Sequence, residues 1–415
     1  MTQPVKNTKP VGSILFMADC HIRKRTWSNF AKVSDDAYFA LTKIQQQIPT
    51  LPNTLLIGGD WFDTDRPSTT DILKSAEFFA NFSRVLYIPG NHDRHCGEIF
   101  SALQETSKHL TESTEFIDVS NQRFVDPHKG AWVITGLPYI HDQEQFVAAV
   151  TELVLDVKNE YPNSRLYLVL HANFKHLLGF EGAYHISNEQ IKDIAGDYPI
   201  SVLVGHVHTR DLTFYGPRIP EQNDAAWVHS PGSLYPSDFR QAVNPEAIPS
   251  VTVLKMGIGD LIDYPVPVRA YRELTFTDYA SLETELKSIA KFTTDEQYPL
   301  PAMVRLHVPA DMLNSSISVP AELADKIILQ ITTAGANEQE LEINTSEGYS
   351  MIEATKEALA AYGEDAEQLS EYAEALLTSD DALGTIDEWL EFWGVMRTYI
   401  TKGVKNVKTE QTLSK

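Results

Sequence analysis

The chain has 415 residues, of which 43% are apolar, and its formal net charge is −23. This length predicts two or three domains with a sizeable core, while the acidic balance argues against a protein that holds DNA by its own surface charge. Two cysteines exclude a disulfide framework and no apolar run is long enough to span a membrane, so we expect a cytoplasmic protein.

Five short apolar runs each end at glycine, proline or a polar residue. Unbroken runs of this length are typical of strands that are buried on both faces of a parallel sheet. Helix-like stretches lie between several of them, for example over 35–47, 70–82 and 145–158. Strands that alternate with helices indicate an α/β layered fold. The five runs are 13–18, 54–57, 85–88, 166–170 and 200–204.

Polar side chains follow each of these runs. Because ligands of open α/β sheets bind beyond the carboxyl ends of the strands, we expect these side chains to meet at one edge of the sheet. They are Asp19 and His21, then Asp60, then Asn91, His92 and Asp93, then His171, and finally His206 and His208.

Seven of these residues predict a metal centre. Oxygen and nitrogen donors without a cysteine ligand suit Mn²⁺, Fe²⁺ or Zn²⁺ better than copper or an iron–sulfur cluster. We expect two divalent ions, Mn²⁺ being the first choice, which at a separation of about 3.5–4 Å would clamp a phosphate and convert water to hydroxide. Asp60 is predicted to bridge them, and His92 to act as a general acid or transition-state stabiliser that Asp93 orients. The seven predicted ligands are Asp19, His21, Asp60, Asn91, His171, His206 and His208.

The second half of the chain has a different pattern. Residues 251–268 alternate and are interrupted by Gly and Pro, which predicts closing strands or a linker. Strands over 271–276 and 302–308 with a helix over 279–291 predict a small β-α-β unit. Residues 347–400 have helical periodicity. Between Glu338 and Glu391 stand sixteen acidic residues and one basic residue, so this segment carries −15 and leaves −8 for the rest.

The order of the polar segments resembles the calcineurin-like metallophosphoesterase superfamily. The matching patterns are Asp-x-His, Gly-Gly-Asp, Gly-Asn-His-Asp, a single His, and Gly-His-x-His, and they end at His208. Two further stretches resemble SbcD-type DNA repair nucleases, namely 59–63 followed by Arg66-Pro67-Ser68, and 230–233, which reads Ser-Pro-Gly-Ser. The resemblance covers about 13–240 well and about 265–335 loosely.

This resemblance implies a layered metallophosphoesterase sandwich over 1–265, which would be the nuclease domain. It further implies a small α/β capping domain over 266–336. The remaining 337–415 would be an acidic helical C-terminal segment that binds a partner. His92 matches the catalytic histidine of the superfamily. The first metal would be held by Asp19, His21, Asp60 and His208, and the second by Asp60, Asn91, His171 and His206.

The resemblance also implies a substrate and a partner. The chain would be a two-metal DNA exonuclease and endonuclease subunit in DNA repair, recombination or replication. Its partner would be an SMC-like ATPase of SbcC type, with the chain present as a homodimer within a heterotetramer and with no membrane involved.

Other interpretations stay open. One is a metallophosphoesterase that acts on a small-molecule phosphodiester or a phosphoprotein; the Gly-Asn-His-Asp pattern, in place of Gly-Asn-His-Glu, argues against the phosphoprotein branch. A scaffold with a dead site is opposed by the complete ligand set. Arg23, Lys24 and Arg25 could contact DNA phosphates or form a solvated basic loop. Cys20 is predicted to be a small packed residue, because a strand would turn its side chain away from its neighbours.

Overall fold

The computed structural model describes residues 12–27, 30–47, 51–107, 114–127, 130–175, 184–215, 226–237, 241–242, 248–256, 260–292, 300–309, 312 and 317–333. The chain divides into two compact units, Met1–Ala336 and Asn337–Lys415. The predicted C-terminal helices lie outside the described residues.

Strands and helices alternate through most of the first unit. The described helices include none that is long and apolar enough to cross a membrane. In chain order the elements are β1 (Ser13–Met17), β2 (Arg25–Trp27), β3 (Phe30–Ser34), α1 (Asp36–Gln47), β4 (Thr54–Gly58), α2 (Thr69–Phe79), β5 (Arg84–Ile88), α3 (Cys96–Ser107), β6 (Glu115–Asp118), β7 (Phe124–Val125), β8 (Trp132–Leu137), α4 (Gln143–Glu160), β9 (Arg165–His171), α5 (Asn188–Ala195), β10 (Ile200–Gly205), β11 (Asp211–Tyr215), β12 (Ala226–Ser230), β13 (Ser250–Lys255), β14 (Asp260–Pro265), β15 (Tyr271–Thr275), α6 (Tyr279–Phe292), β16 (Ala302–Val308) and β17 (Ile327–Thr333).

Two six-stranded mixed sheets form the larger part of this unit. The first has the order β14-β13-β1-β4-β5-β6, with β1, β4, β5 and β6 parallel and β13 antiparallel to both β1 and β14. The second has the order β11-β12-β10-β9-β8-β7, with β8, β9, β10 and β12 parallel. The five predicted apolar runs are confirmed as β1, β4, β5, β9 and β10, and residues 251–268 supply the closing strands of the first sheet.

The two sheets pack face to face between outer layers of helices. Successive residues of a strand point to opposite faces, so β1 turns Ile14 and Phe16 toward the second sheet and Leu15 and Met17 toward α1 and α2. The outer face of the second sheet is covered by α4 and α5. The predicted layered α/β sandwich is therefore confirmed, in the order helix, sheet, sheet, helix.

A small parallel sheet follows, with the order β15-β16-β17. One face packs on α6 through residues such as Leu286 and Val304. The other face contributes Tyr271, Met303 and Ile328 to a separate cluster with Val33 of β3. The predicted β-α-β unit is present at 271–308, and β17 adds a third strand that the sequence pattern did not predict.

The side chain of Arg269 joins this small sheet to the sandwich. Its guanidinium donates to both carboxylate oxygens of Asp36, at 3.0 and 2.9 Å, at the first turn of α1. It also donates to the carbonyls of Ser34 and Pro301, at 2.8 and 2.7 Å. Both charged groups are almost completely buried, so each one depends on the other for compensation of its charge.

Candidate metal centre

Loops at the carboxyl ends of β1, β4, β5, β9 and β10 form the site. Register in the second sheet places Gly205 of β10 directly beside His171 of β9. In the first sheet the backbone NH of Asp19 donates to the carbonyl of Gly59, at 3.2 Å. Since both sheets end at this edge, the segments that are distant in sequence meet here.

Left-handed backbone conformations concentrate at the site. Among the described residues, five that are not glycine have a positive φ: Asp19 at 49°, His21 at 41°, Asp35 at 68°, Asp60 at 50° and His206 at 86°. All except Asp35 are predicted metal ligands. Such conformations are sterically unfavourable for residues with a Cβ, and they persist where function requires them.

Two glycines permit the close approach of ligand side chains. A Cβ on Gly59, which has a φ of 93°, would lie 2.2 Å from Nδ1 of His171. A Cβ on Gly90 would lie 1.9 Å from Oδ1 of Asp60. Any larger residue at either position would displace a predicted ligand, so both glycines are requirements of the site.

The first ligand cluster contains Asp19, His21 and His208. The Nε2 atoms of the two histidines are 3.1 Å apart. Nε2 of His208 lies 3.8 Å from an oxygen of Asp19, and Nε2 of His21 lies 3.8 Å from Oδ2 of Asp60. Two buried carboxylates and two imidazoles therefore face one small space.

The second cluster contains Asp60, His171 and His206, with Asn91 among them. Nε2 of His171 lies 3.2 Å from Oδ2 of Asp60 and 3.0 Å from Oδ1 of Asn91. Nδ1 of His206 lies 2.9 Å from the same amide oxygen. The structure thus brings all seven predicted ligands together in two adjacent groups.

The arrangement of His171 fits a bound cation. Its Nδ1 lies 2.8 Å from the carbonyl oxygen of Gly58, which can only accept a hydrogen bond, so this nitrogen carries the proton. In the neutral ring, Nε2 then presents a lone pair toward two oxygen acceptors, Asp60 Oδ2 and Asn91 Oδ1. Atoms that only accept come this close when a proton or a metal lies between them.

The protonation states of the site support the same interpretation. Burial lowers the pKa of His171, but the charge of Asp60 and contact with it outweigh this and raise the pKa to about 9. Burial lowers the pKa of His206 to about 2 and that of His208 to about 3, with nearby histidines adding to the effect. Burial raises the pKa of Asp19 to about 6. A proton on His171 therefore occupies the place that a cation would take.

His92 and Asp93 are neighbours in the chain but differ in burial and in their hydrogen-bond partners. The ring of His92 is exposed, and its Nδ1 lies 3.2 Å from the carbonyl of Asp63. The carboxylate of Asp93 is buried and accepts from the backbone NH groups of Gly90 and Phe62, at 2.9 and 3.1 Å. Asp93 thus closes the backbone turn that carries Asn91 and His92, and its role in orienting His92 stays a prediction.

The basic segment after His21 is only partly available to a substrate. The guanidinium of Arg23 donates to the carboxylate of Asp63. Lys24 is exposed, and the side chain of Arg25 lies outside the described residues. Cys20 is buried in the core beneath α1 and α2, which agrees with its predicted packing role.

The segment Ser230–Ser233 supports the first cluster from behind. The backbone NH of Ser233 donates to the carbonyl of His208 and that of Leu234 to the carbonyl of Asp19, both at 3.4 Å. The hydroxyl of Tyr235 donates to the carbonyl of His21, at 2.5 Å. Of these three contacts, the one from Ser233 lies within the stretch 230–233 that carries the sequence resemblance, and the other two come from the two residues that follow it.

The sequence reasoning left two residues at the site without a role. Asp63 contacts His21, Arg23 and His92. Its position at the end of the stretch 59–63, which carries the sequence resemblance, could have indicated a role at the site. Tyr139 packs its ring 5.0 Å from that of His206. It follows β8, which the apolar runs did not include, so the sequence offered no signal for it.

Comparison with known proteins shows what the sandwich is similar to. Residues 12–210, which include all seven predicted ligands, match the family model described as calcineurin-like phosphoesterase. This match supports a metallophosphoesterase-type, metal-dependent phosphoester hydrolase over these residues.

Among solved structures, the crystal structure of TT1561 of Thermus thermophilus is similar at 15% identity and a TM-score of 0.38, covering 62% of this chain and all of that one. No curated protein matches the chain.

Proposed function

We propose that the chain is a two-metal phosphodiesterase that cleaves DNA. The position of Asp60 carries the two-metal part of this proposal. Its Oδ2 faces Nε2 of His21 at 3.8 Å and Nε2 of His171 at 3.2 Å, one histidine from each ligand cluster. A carboxylate shared in this way is the arrangement expected of a bridging ligand.

The donors present fit two divalent ions. Asp19, His21, Asp60 and His208 would hold the first, and Asp60, Asn91, His171 and His206 the second. Nitrogen and oxygen donors of this kind suit Mn²⁺, Fe²⁺ or Zn²⁺, and we propose Mn²⁺. Such ions supply Lewis-acid stabilisation of a phosphate and an activated water.

His92 is placed to move a proton. Because its Nδ1 faces the carbonyl of Asp63, this nitrogen holds a proton and Nε2 is left toward the open side of the site. Its backbone NH donates to Oδ1 of Asp60, at 2.9 Å, which fixes the ring next to the ligand clusters. In its protonated form the ring can donate from Nε2 to the leaving oxygen of a diester.

The choice of DNA as substrate rests on the sequence resemblance, whose stretches have packing and capping roles beside the site. Trp61 and Phe62 are buried behind Asp60, and Ser68 forms the capping box that begins α2. An SMC-like ATPase partner of SbcC type would add the basic surface that this mildly acidic sandwich lacks.

The substrate assignment is tested with purified protein and Mn²⁺. We expect cleavage of single- and double-stranded oligonucleotides and of bis-p-nitrophenyl phosphate, with little hydrolysis of the monoester p-nitrophenyl phosphate. Hydrolysis of the monoester or of a phosphopeptide with intact DNA would support the alternative function and overturn this one. Loss of all activity in the variant Asp60→Asn controls for contaminating nucleases.

The partner is tested separately by mixing the full chain with an SbcC-type ATPase. We expect a stable complex on gel filtration and DNA cleavage that ATP stimulates. Absence of both would remove the partner from the proposal and would leave the phosphodiesterase assignment intact.

A further inference from the structure

The carboxylate of Asp63 is the best-connected group beside the two ligand clusters that is not itself in either. Its Oδ1 lies 3.2 Å from Nδ1 of His21, and its Oδ2 accepts from the guanidinium of Arg23. Its own carbonyl faces Nδ1 of His92. One residue thus contacts a predicted ligand, the predicted catalytic histidine and the nearest arginine.

The imidazole of His21 needs a partner on the side away from the cluster. Its Nε2 faces His208 and Asp60, so Nε2 is the atom available to a metal. Nδ1 is buried and makes no aligned hydrogen bond, and the oxygen of Asp63 is the ion-pair contact it has among the described residues. A small rotation of either side chain would convert this 3.2 Å contact into an aligned hydrogen bond.

Arg23 restrains the other half of the carboxylate. Since Oδ2 of Asp63 is held by the guanidinium, Oδ1 stays directed at the imidazole of His21. The carboxylate is about four-fifths buried, where an ion pair is screened less than at an open surface.

We propose that Asp63 is a positioning residue that sets the affinity of the first metal site through His21. A carboxylate on Nδ1 keeps the proton on that nitrogen and the lone pair of Nε2 toward the metal. Among the described residues, Asp63 makes no contact with His171 or His206. We therefore expect the metal affinity of the second site not to depend on Asp63. This inference rests on the proposed assignment of His21 as a ligand of the first metal.

Loss of the Asp63 carboxylate should weaken the first metal site and spare the second. A residue with only a general structural role would not show this difference between the two sites. Mn²⁺ binding to the full chain is titrated by electron paramagnetic resonance of the free ion, in wild type and in Asp63→Asn and Asp63→Ala. We expect one site to weaken by about 10- to 100-fold while the other keeps its affinity. Asp65→Asn is the matched control, because Asp65 is exposed and its side chain bonds only the backbone NH of His95 within the described part of the chain.

Kinetics provide the second readout. With bis-p-nitrophenyl phosphate, the Mn²⁺ concentration for half-maximal rate should rise in Asp63→Asn, while kcat at saturating Mn²⁺ stays within a few-fold of wild type. The side-chain change leaves the backbone carbonyl that faces His92 in place, so proton transfer should survive. Thermal unfolding of the metal-free variants checks that they fold.

The outcomes separate this inference from the function on which it rests. If wild type binds fewer than two Mn²⁺ ions or leaves the diester intact, the proposed function fails. If wild type behaves as expected but both sites of Asp63→Asn keep their affinity, or both weaken equally, the role of Asp63 is overturned. A kcat that saturating Mn²⁺ cannot restore would likewise contradict it.

Discussion

In the proposed two-metal site, a single carboxylate between two histidine sets links the two metals. Replacing Asp60 by Asn removes the negative charge that both sites share, so we expect both Mn²⁺ affinities to fall together and hydrolysis to be lost. Equilibrium dialysis with metal analysis measures the stoichiometry. Asn91→Ala is the contrasting variant, because the side chain of Asn91 contacts His171 and His206 of the second cluster and should weaken one site. Two ions retained in Asp60→Asn would contradict the bridge.

The ring of His92 is exposed and lies edge-on to that of His21, with centroids 4.9 Å apart, and its backbone NH donates to Asp60. We therefore expect His92→Ala to retain both metals but to lose about 10²- to 10⁴-fold in kcat, which is the usual worth of general acid–base catalysis. Loss of metal from His92→Ala would show instead that the ring is a ligand.

Protons and metal compete for His171. With the pKa of this residue raised to about 9, chiefly by Asp60 against the opposing effect of burial, the metal-free ring is protonated at neutral pH. Metal binding must release that proton, so Mn²⁺ affinity should rise by up to about tenfold per pH unit below this pKa and level off above it. Calorimetry in buffers of different ionisation enthalpy counts the protons, and binding at neutral pH without proton release would refute the assignment.

Arg269 ties the start of α1 to the small sheet. Arg269→Ala would leave the carboxylate of Asp36 buried without its partner, which typically costs about 3–5 kcal/mol. We expect the first transition in urea unfolding to move to lower denaturant, with metal affinity preserved because the contacts described for Arg269 and Asp36 do not include a predicted ligand. Lys74→Ala, which breaks the exposed pair with Glu77, serves as control and should leave unfolding unchanged.

The elements that the sequence predicted are those with unbroken apolar character. The central strands were found because both of their faces are buried, so apolar residues dominate β9 and β10, as at Leu166–Leu170 and Val202–Val204. Short strands such as β7, with two half-buried residues, have no such pattern.

The ligand set was predictable because each member lies at or just after the end of a central strand. The orientation of Asp93 was not, since backbone hydrogen bonds at a turn leave no periodic signal.

At the scale of the whole molecule, the chain has a unit that ends at Ala336 and an acidic remainder. A protein that ends at Ala336 keeps every predicted ligand, so we expect it to hydrolyse bis-p-nitrophenyl phosphate with a kcat close to that of the full chain. If the remainder is the partner-binding region, the shortened protein should not form a complex with an SbcC-type ATPase. Failure of the shortened chain to fold would mean that residues 337–415 belong to the core.

The left-handed conformations of Asp19, His21, Asp60 and His206 limit how far the thermal stability of this protein can be raised without loss of activity. Each such residue typically costs about 1–3 kcal/mol, and glycine would adopt the same φ without that cost. A laboratory selection for heat resistance alone, with no demand for turnover, should therefore accumulate glycine at these positions early. The resulting variants would have higher thermal stability and no activity. Alternating selection for heat resistance and for hydrolysis should instead leave all four positions unchanged.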